Sequence, residues 1–352
     1  MPANRSVRLV RVSGPLKLAA AVMTAALLTG CNLQQALRGF TEPTVQAQFD
    51  GDPIELPFRE GPGGLVIISG QVNGGGRYDF ILDTGAPVSV IIDSPATRAL
   101  NLDTSKARKL GPADNPATPI GVITPGFTFA FNRLTFSDLT AVVIPAHTMP
   151  CAERFASVNF QGVIGADIFK RFIVEIDHER GRVRLFDPRH WVAPVAKPGV
   201  AVLPLAFRNG HIYTDMKVNL NAAAVPVHVH VDTGKNSALA LIAGSKPEIR
   251  MPEKGEPQTA CYVSGKARVL KGEPVTLALG LDAALEARDV AVAYEEVDAI
   301  GLGARQGAIG IGLLKRYVVT FDYPGKRMIL QERPRRAAPS EFATVSTLRP
   351  ST

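Results

Sequence analysis

The stretch YDFILDTGAPVSVII, Tyr78 to Ile92, sets an aspartate, a threonine and a glycine inside an apolar run. Phe80, Ile81 and Leu82 lead into Asp83, and Val88, Val90, Ile91 and Ile92 follow soon after. The pattern reads as a strand, a tight turn and a second strand. A carboxylate in such surroundings is costly to bury without a partner.

A matching stretch lies farther along the chain. VHVHVDTGKNSALAL, Val227 to Leu241, carries a second Asp-Thr-Gly after a second apolar strand, with Asp232 149 residues beyond Asp83. Other blocks repeat in the same order. LPFREGPGGLVIISGQVN is echoed by LPLAFRNGHIYTDMKVN, and GVIGADIFKRFIVEIDHERGRVRL by GAIGIGLLKRYVVTFDYPGKRMIL. Gly165 and Gly310, in the last pair, stand 145 residues apart. Several blocks at nearly one offset mark an internal duplication.

The units run from 54 to 187 and from 203 to 332, joined by a proline-rich linker over 188–202. Residues 31–53 read as a flexible tether and 333–352 as a basic flexible tail. Short alternating or apolar runs bounded by Gly, Pro and Asn make both units β-rich. Helix is limited to a turn or two in GADIFKRF, IGLLKRY and SPATRALNL. The expected fold is mainly β, with two tandem lobes related by a pseudo-two-fold.

The paired Asp-Thr-Gly segments, with the later hydrophobic-hydrophobic-Gly blocks VIG (Val163 to Gly165) and AIG (Ala308 to Gly310), resemble the two-lobed, retropepsin-like aspartic proteases related to pepsin. The resemblance covers about residues 54–332 and implies two acid-protease-like β-barrel lobes. It also implies that Asp83 and Asp232 form a catalytic pair sharing one proton. One carboxylate takes a proton from water, and the other donates to the peptide carbonyl. Thr84 and Thr233 would then bond across the interface, while Gly85 and Gly234 let backbone amides approach the carboxylates. A peptide or protein is the implied substrate, no metal or organic cofactor is called for, and the second lobe supplies what a single-lobe relative gains by dimerising, so a monomer is expected. The rival expectation is an inactive lipoprotein that binds a peptide or protein between the lobes.

Some features leave alternatives open. Lys235 follows the second motif, where an ammonium near the pair favours two ionised carboxylates, or where its stem lies along the strand with the head in solvent. His228, His230 and Asp232 share a strand face, but lobe 1 has Asp79 and Ile81 at the positions of the two histidines, so the repeat does not carry a metal pattern. The substrate-covering hairpin has two candidates, GPADNPATPIGVITPG and PEKGEPQTACYVSGKARV. Cys151 and Cys261 either pair or stand as separate buried thiols.

Arg5, Arg8, Arg11 and Lys17 precede an apolar segment, Leu18 to Leu28, too short to span a bilayer but suited to a signal peptide over residues 1–30. Leu28-Thr29-Gly30-Cys31 resembles a bacterial lipobox, with Cys31 as the lipidated residue. Asn32 is not the aspartate associated with inner-membrane retention, so a periplasm-facing anchor in the outer membrane is expected. The segment also carries part of the formal +7 charge. More of it sits in QERPRRAAPS, and no basic stripe interleaved with aromatics is present, which argues against nucleic acid.

Overall fold

A computed structural model describes residues 43–49, 53–110, 119–152, 159–195, 197–262, 265–280, 284–296 and 305–333. The expected signal peptide with Cys31 and the tail beyond Arg333 lie outside the described residues. The fold is mainly β, as the alternating runs imply, with two lobes of the same topology.

Each lobe opens with a hairpin that delivers the Asp-Thr-Gly turn. In lobe 1, Val66–Val72 pairs antiparallel with Arg77–Leu82. Asn73 (φ 52°) and Gly74 (φ 68°) make the reversal, a left-handed pair that matches strand twist. In lobe 2, His211–Leu220 pairs with Ala223–Asp232 around Asn221 (φ 48°) and Ala222 (φ 65°).

The strand that leaves Asp83 does not pair with the strand that enters it. Gly162–Ile164 is slotted between them, parallel to Arg77–Leu82 and antiparallel to Val90–Asp93. Lobe 2 repeats this, with Gly307–Gly310 between Ala223–Asp232 and Leu239–Ile242. Each Asp-Thr-Gly turn therefore crosses over the end of a third strand. Gly165 and Gly310 close the arrangement: a Cβ on either would press on the carbonyl of Ala86 or Lys235. The next residue donates its N–H to that same carbonyl, at 2.9 Å for Ala166 and 2.8 Å for Ile311. Short helices, Ala166–Phe169 and Ile311–Leu314, follow directly.

The lobes share a six-stranded sheet. Its centre pairs Ile173–Asp177 of lobe 1 with Val318–Asp322 of lobe 2, and Glu175 faces Thr320, its own counterpart in the repeat. Arg182–Phe186 and Ile54–Glu60 extend it on one side, Arg327–Gln331 and Val200–Pro204 on the other. Phe169 of lobe 1 packs edge-on to Phe321 of lobe 2 at 5.3 Å and stacks on Tyr323 at 5.4 Å. The lobe 1 core is aromatic, with Phe80 and Phe129 in contact at 5.1 Å; that of lobe 2 is aliphatic, with Val229, Leu239, Leu241 and Leu277 fully buried.

Three segment boundaries differ from expectation. Residues 200–202 of the linker belong to the strand Val200–Pro204, because Val200, Ala201 and Leu203 bury themselves on the shared sheet. Thr44–Ala47, within the expected tether, pairs with Leu134 to Ser137. Arg333, placed in the tail, donates to the carbonyls of Lys315 and Tyr317.

Cys151 and Cys261, 110 positions apart in the sequence, form a disulfide with Cα atoms 6.1 Å apart. It joins lobe 1 to the lobe 2 hairpin Gln258–Tyr262 with Gly265–Lys271, the second of the two covering-hairpin candidates. Of the first candidate, residues 111–118 lie outside the described residues and the rest enters the strand Ile120–Phe131. Closing so long a loop is worth on the order of 2–5 kcal/mol. Replacing both cysteines by serine is expected to lower the denaturation midpoint accordingly, and a reductant to do the same to the wild type only. An unchanged midpoint in both tests would contradict this.

Candidate active site

The two Asp-Thr-Gly turns meet at the lobe interface and are locked by reciprocal hydrogen bonds. The Thr84 hydroxyl donates to the Val231 carbonyl (2.9 Å) and accepts from the Thr233 N–H (3.1 Å). The Thr233 hydroxyl donates to the Leu82 carbonyl (2.8 Å) and accepts from the Thr84 N–H (3.0 Å). Both threonines are fully buried. Each therefore satisfies one donor and one acceptor of the opposite lobe.

This lock brings the carboxyls of Asp83 and Asp232 together, each against the glycine of the opposite turn. The Gly85 N–H (2.6 Å) and the Gly234 N–H (3.0 Å) both donate to Asp83 Oδ1. A Cβ on Gly85 would lie 2.6 Å from the Asp232 carboxyl carbon, and one on Gly234 would collide with the Asp83 carboxyl. Only glycine leaves room for the amides and the opposite carboxyl together.

Burial pushes the Asp83 carboxyl well above the usual carboxylate range, and the Asp232 charge pushes it further. Burial also raises Asp232, but Lys235, the Asp83 carboxyl and Arg305 all pull it back.

The environment of Lys235 resolves its open reading. Its head neither enters solvent nor pairs with the dyad. Nζ donates to Glu295 Oε1 at 2.8 Å and to Tyr262 Oη at 2.6 Å, and its side chain is 7% exposed against 3% for Glu295. The Tyr262 hydroxyl donates to the same Glu295 oxygen, and the ammonium lies 4.5 Å from the Tyr262 ring centroid. Burial and Glu295 hold the Tyr262 phenol protonated. Tyr262 is the residue next to Cys261, so the disulfide and this cluster fix one end of the same hairpin.

The histidines of the second strand do not converge on a metal. His228 Nδ1 bonds Asp215 Oδ1 at 2.7 Å and the ring stacks on Tyr213. His230 is 1% exposed, its Nδ1 3.9 Å from Asp232 Oδ2, and neither ring nitrogen has a hydrogen-bond partner among the described residues. His211 bonds to the Gly85 backbone, and burial draws it down to about 4. Burial lowers His230 as well, so both rings are neutral at ordinary pH. Among the described residues no three His, Cys, Asp or Glu side chains gather as a metal site.

Sequence reasoning singled out the two aspartates, their threonines and glycines and, with its place open, Lys235. It missed Glu295 and Arg305, and carried Tyr262 only as part of the hairpin candidate PEKGEPQTACYVSGKARV. Those residues come from strands and loops far along the chain, and only strand pairing brings them beside Asp232. A charged residue ending the otherwise apolar run VAVAYE was the one available sign for Glu295.

A family model described as "Aspartyl protease" matches residues 68–168, which include Asp83, Thr84, Gly85 and Gly165. Comparison with curated proteins finds no match. Among solved structures, the chain is similar to conglutin gamma, a basic 7S globulin from lupine seeds. That match has 12% identity, a TM-score of 0.46, and covers 83% of this chain and 95% of that one. Basic 7S globulin from soybean gives the same identity and TM-score, over 80% and 95%.

Two outcomes follow for stability. Thr84→Val strands the Thr233 N–H and the Val231 carbonyl, at a cost of about 2–5 kcal/mol for two buried groups; a melting temperature equal to wild type would contradict the lock. Asp83 holds its proton more tightly folded than unfolded, so its contribution is present at low pH and is lost as pH rises from about 4. Asp83→Asn removes that loss and is expected to melt higher than wild type at neutral pH, with the difference vanishing in acid. A variant melting lower at neutral pH would show the reverse shift.

Proposed function

We propose that this chain is an aspartic endopeptidase of the cell envelope. The observation that carries this reading is the face-to-face placement of Asp83 and Asp232, each against the other's Asp-Thr-Gly glycine, by two cross-locked turns from duplicated lobes. The aspartyl-protease family match over residues 68–168 supports it. Two carboxyls this close do not both ionise readily, so over a range of pH the pair carries one proton. Such a pair performs general base and general acid catalysis at once. The ionised member takes a proton from a water, whose oxygen attacks the peptide carbonyl carbon. The protonated member gives its proton to the carbonyl oxygen. Collapse of the tetrahedral intermediate passes the water-derived proton to the amide nitrogen and returns the other to the dyad.

The reading extends to the whole chain. Cys31 carries a lipid anchor in a bacterial membrane, outer more than inner, the lobes face the periplasm, and the protein acts as a monomer on peptide or protein substrates. The Cys151–Cys261 bridge supports an oxidising compartment.

Full-length protein assayed on a peptide library from acid to neutral pH is expected to cleave, and Asp83→Asn and Asp232→Asn each to lose about 10²–10⁴-fold in rate while staying folded. Cleavage that survives either substitution, or a folded wild type silent at every pH, would defeat the enzyme reading. In the second case, retained peptide binding would favour the binding-protein alternative. Cys31→Ser is expected to move the protein from the membrane to the soluble fraction.

A further inference from the structure

The lobe 2 hairpin begins in one lobe and ends on the other. At its root, Val269, Leu270 and Lys271 pair with Glu295, Tyr294 and Ala293 of the strand Val292–Glu295. That strand runs parallel to Leu239–Ile242, which leaves the second Asp-Thr-Gly turn. Near the hairpin's tip, Tyr262 faces Gly265 and Cys261 faces Lys266. There Cys261 is bonded to Cys151 of lobe 1. A hairpin rooted in one lobe and held covalently near its tip by the other spans the space between them.

Both ends of this strap are tied to the strands that build the dyad. Cys151 is buried, on the segment that joins Leu134–Pro145 to Gly162–Ile164, the strand slotted in beside the first turn. Neighbouring strand residues point to opposite faces, so Tyr262 turns back to lobe 2 where Cys261 reaches lobe 1. The Tyr262 hydroxyl donates to Glu295 and accepts from Lys235, the residue after the second Asp-Thr-Gly. The Asp232 charge is felt by the Tyr262 phenol, and the Asp83 charge by Tyr323, at the end of the shared sheet. The dyad therefore lies within reach of both the strap and the shared sheet.

The cross-locked turns, the lobe 2 strands, the hairpin, the disulfide and the lobe 1 strands together close a ring. We propose that this ring sets substrate specificity: the Cys151–Cys261 strap makes the protein select polypeptides with a free chain end. A linear peptide or an unfolded tail enters the interlobe space lengthwise, past the strap. A loop of a folded protein, or a cyclic peptide, has no end to pass through the ring. It could enter only if the hairpin swung aside, as covering elements of open sites do, and the bridge forbids that motion. Cys151 and Cys261 are thus specificity-determining residues that touch no reacting atom. The inference rests on the peptidase reading for cleavage, though not for entry and binding.

The test sets a pool of linear peptides against the same sequences cyclised head to tail. Each pool is incubated with full-length wild type and with the double variant Cys151→Ser, Cys261→Ser, below the variant's melting midpoint. Wild type is expected to cleave the linear pool and leave the cyclic pool nearly intact. The double variant is expected to keep the linear activity and to raise the cyclic-to-linear ratio about tenfold or more. A reductant should do the same to the wild type. Hydrogen exchange checks the strap itself: Gln258–Tyr262 and Gly265–Lys271 should exchange faster without the bridge, while Val66–Val72 stays protected. The same ratio with and without the bridge would overturn the inference. So would a folded double variant that loses the linear pool as well, because the hairpin would then serve the chemistry and not entry. If the wild type cleaves neither pool, dye-labelled peptides decide. Linear peptides that bind, with cyclic ones binding only when the bridge is absent, uphold the strap while the enzyme reading falls; equal binding, or none, removes both.

Discussion

The reciprocal bonding of Thr84 and Thr233 is the interaction on which the rest of this structure depends. Two acidic side chains brought together from separate lobes repel when ionised, and nothing in either turn alone holds them in place. Each threonine spends its hydroxyl on the opposite lobe, both as donor and as acceptor. The backbone around each aspartate is thus fixed by the other half of the molecule. The shared six-stranded sheet supports this from below, with Glu175 and Thr320 facing each other at its centre. The pair is therefore a property of the assembled molecule rather than of either repeat.

Much of this was legible before the fold. Asp-Thr-Gly after an apolar strand, found twice at nearly the offset of the flanking blocks, marked Asp83 and Asp232 as equivalent, and the resemblance to two-lobed aspartic proteases implied that they meet. The glycines were legible for the same reason: Gly85 and Gly234 face the opposite carboxyl, where a Cβ has no room. The short helices after Gly165 and Gly310 followed from local pattern alone.

What escaped was set by long-range pairing. Glu295 is an unremarkable acid at a strand end until the parallel register with Leu239–Ile242 brings it to Lys235. The Cys151–Cys261 bridge spans both lobes, and spacing gave no geometry for it. Residues 200–202 read as linker because proline and small residues surround them, yet the shared sheet offered their apolar side chains a place to bury. Lys235 shows the limit most clearly. Sequence raised it as a threat to the shared proton, and the answer lay in two residues, Tyr262 and Glu295, that no local pattern connects to it.

Duplication gives the protein two like carboxyls, and the cross-locked turns set them face to face. A dyad that serves as acid and base at once must retain a proton where an ordinary aspartate, with its usual value near 3.8, has lost it. Infrared difference spectroscopy of the full-length protein near pH 6, wild type against Asp83→Asn and against Asp232→Asn, measures that proton directly. The account predicts one protonated carboxylic acid band in the wild type that is lost or displaced when either aspartate is replaced. A wild-type spectrum with no such band, both carboxyls fully ionised and indifferent to each other, would contradict it.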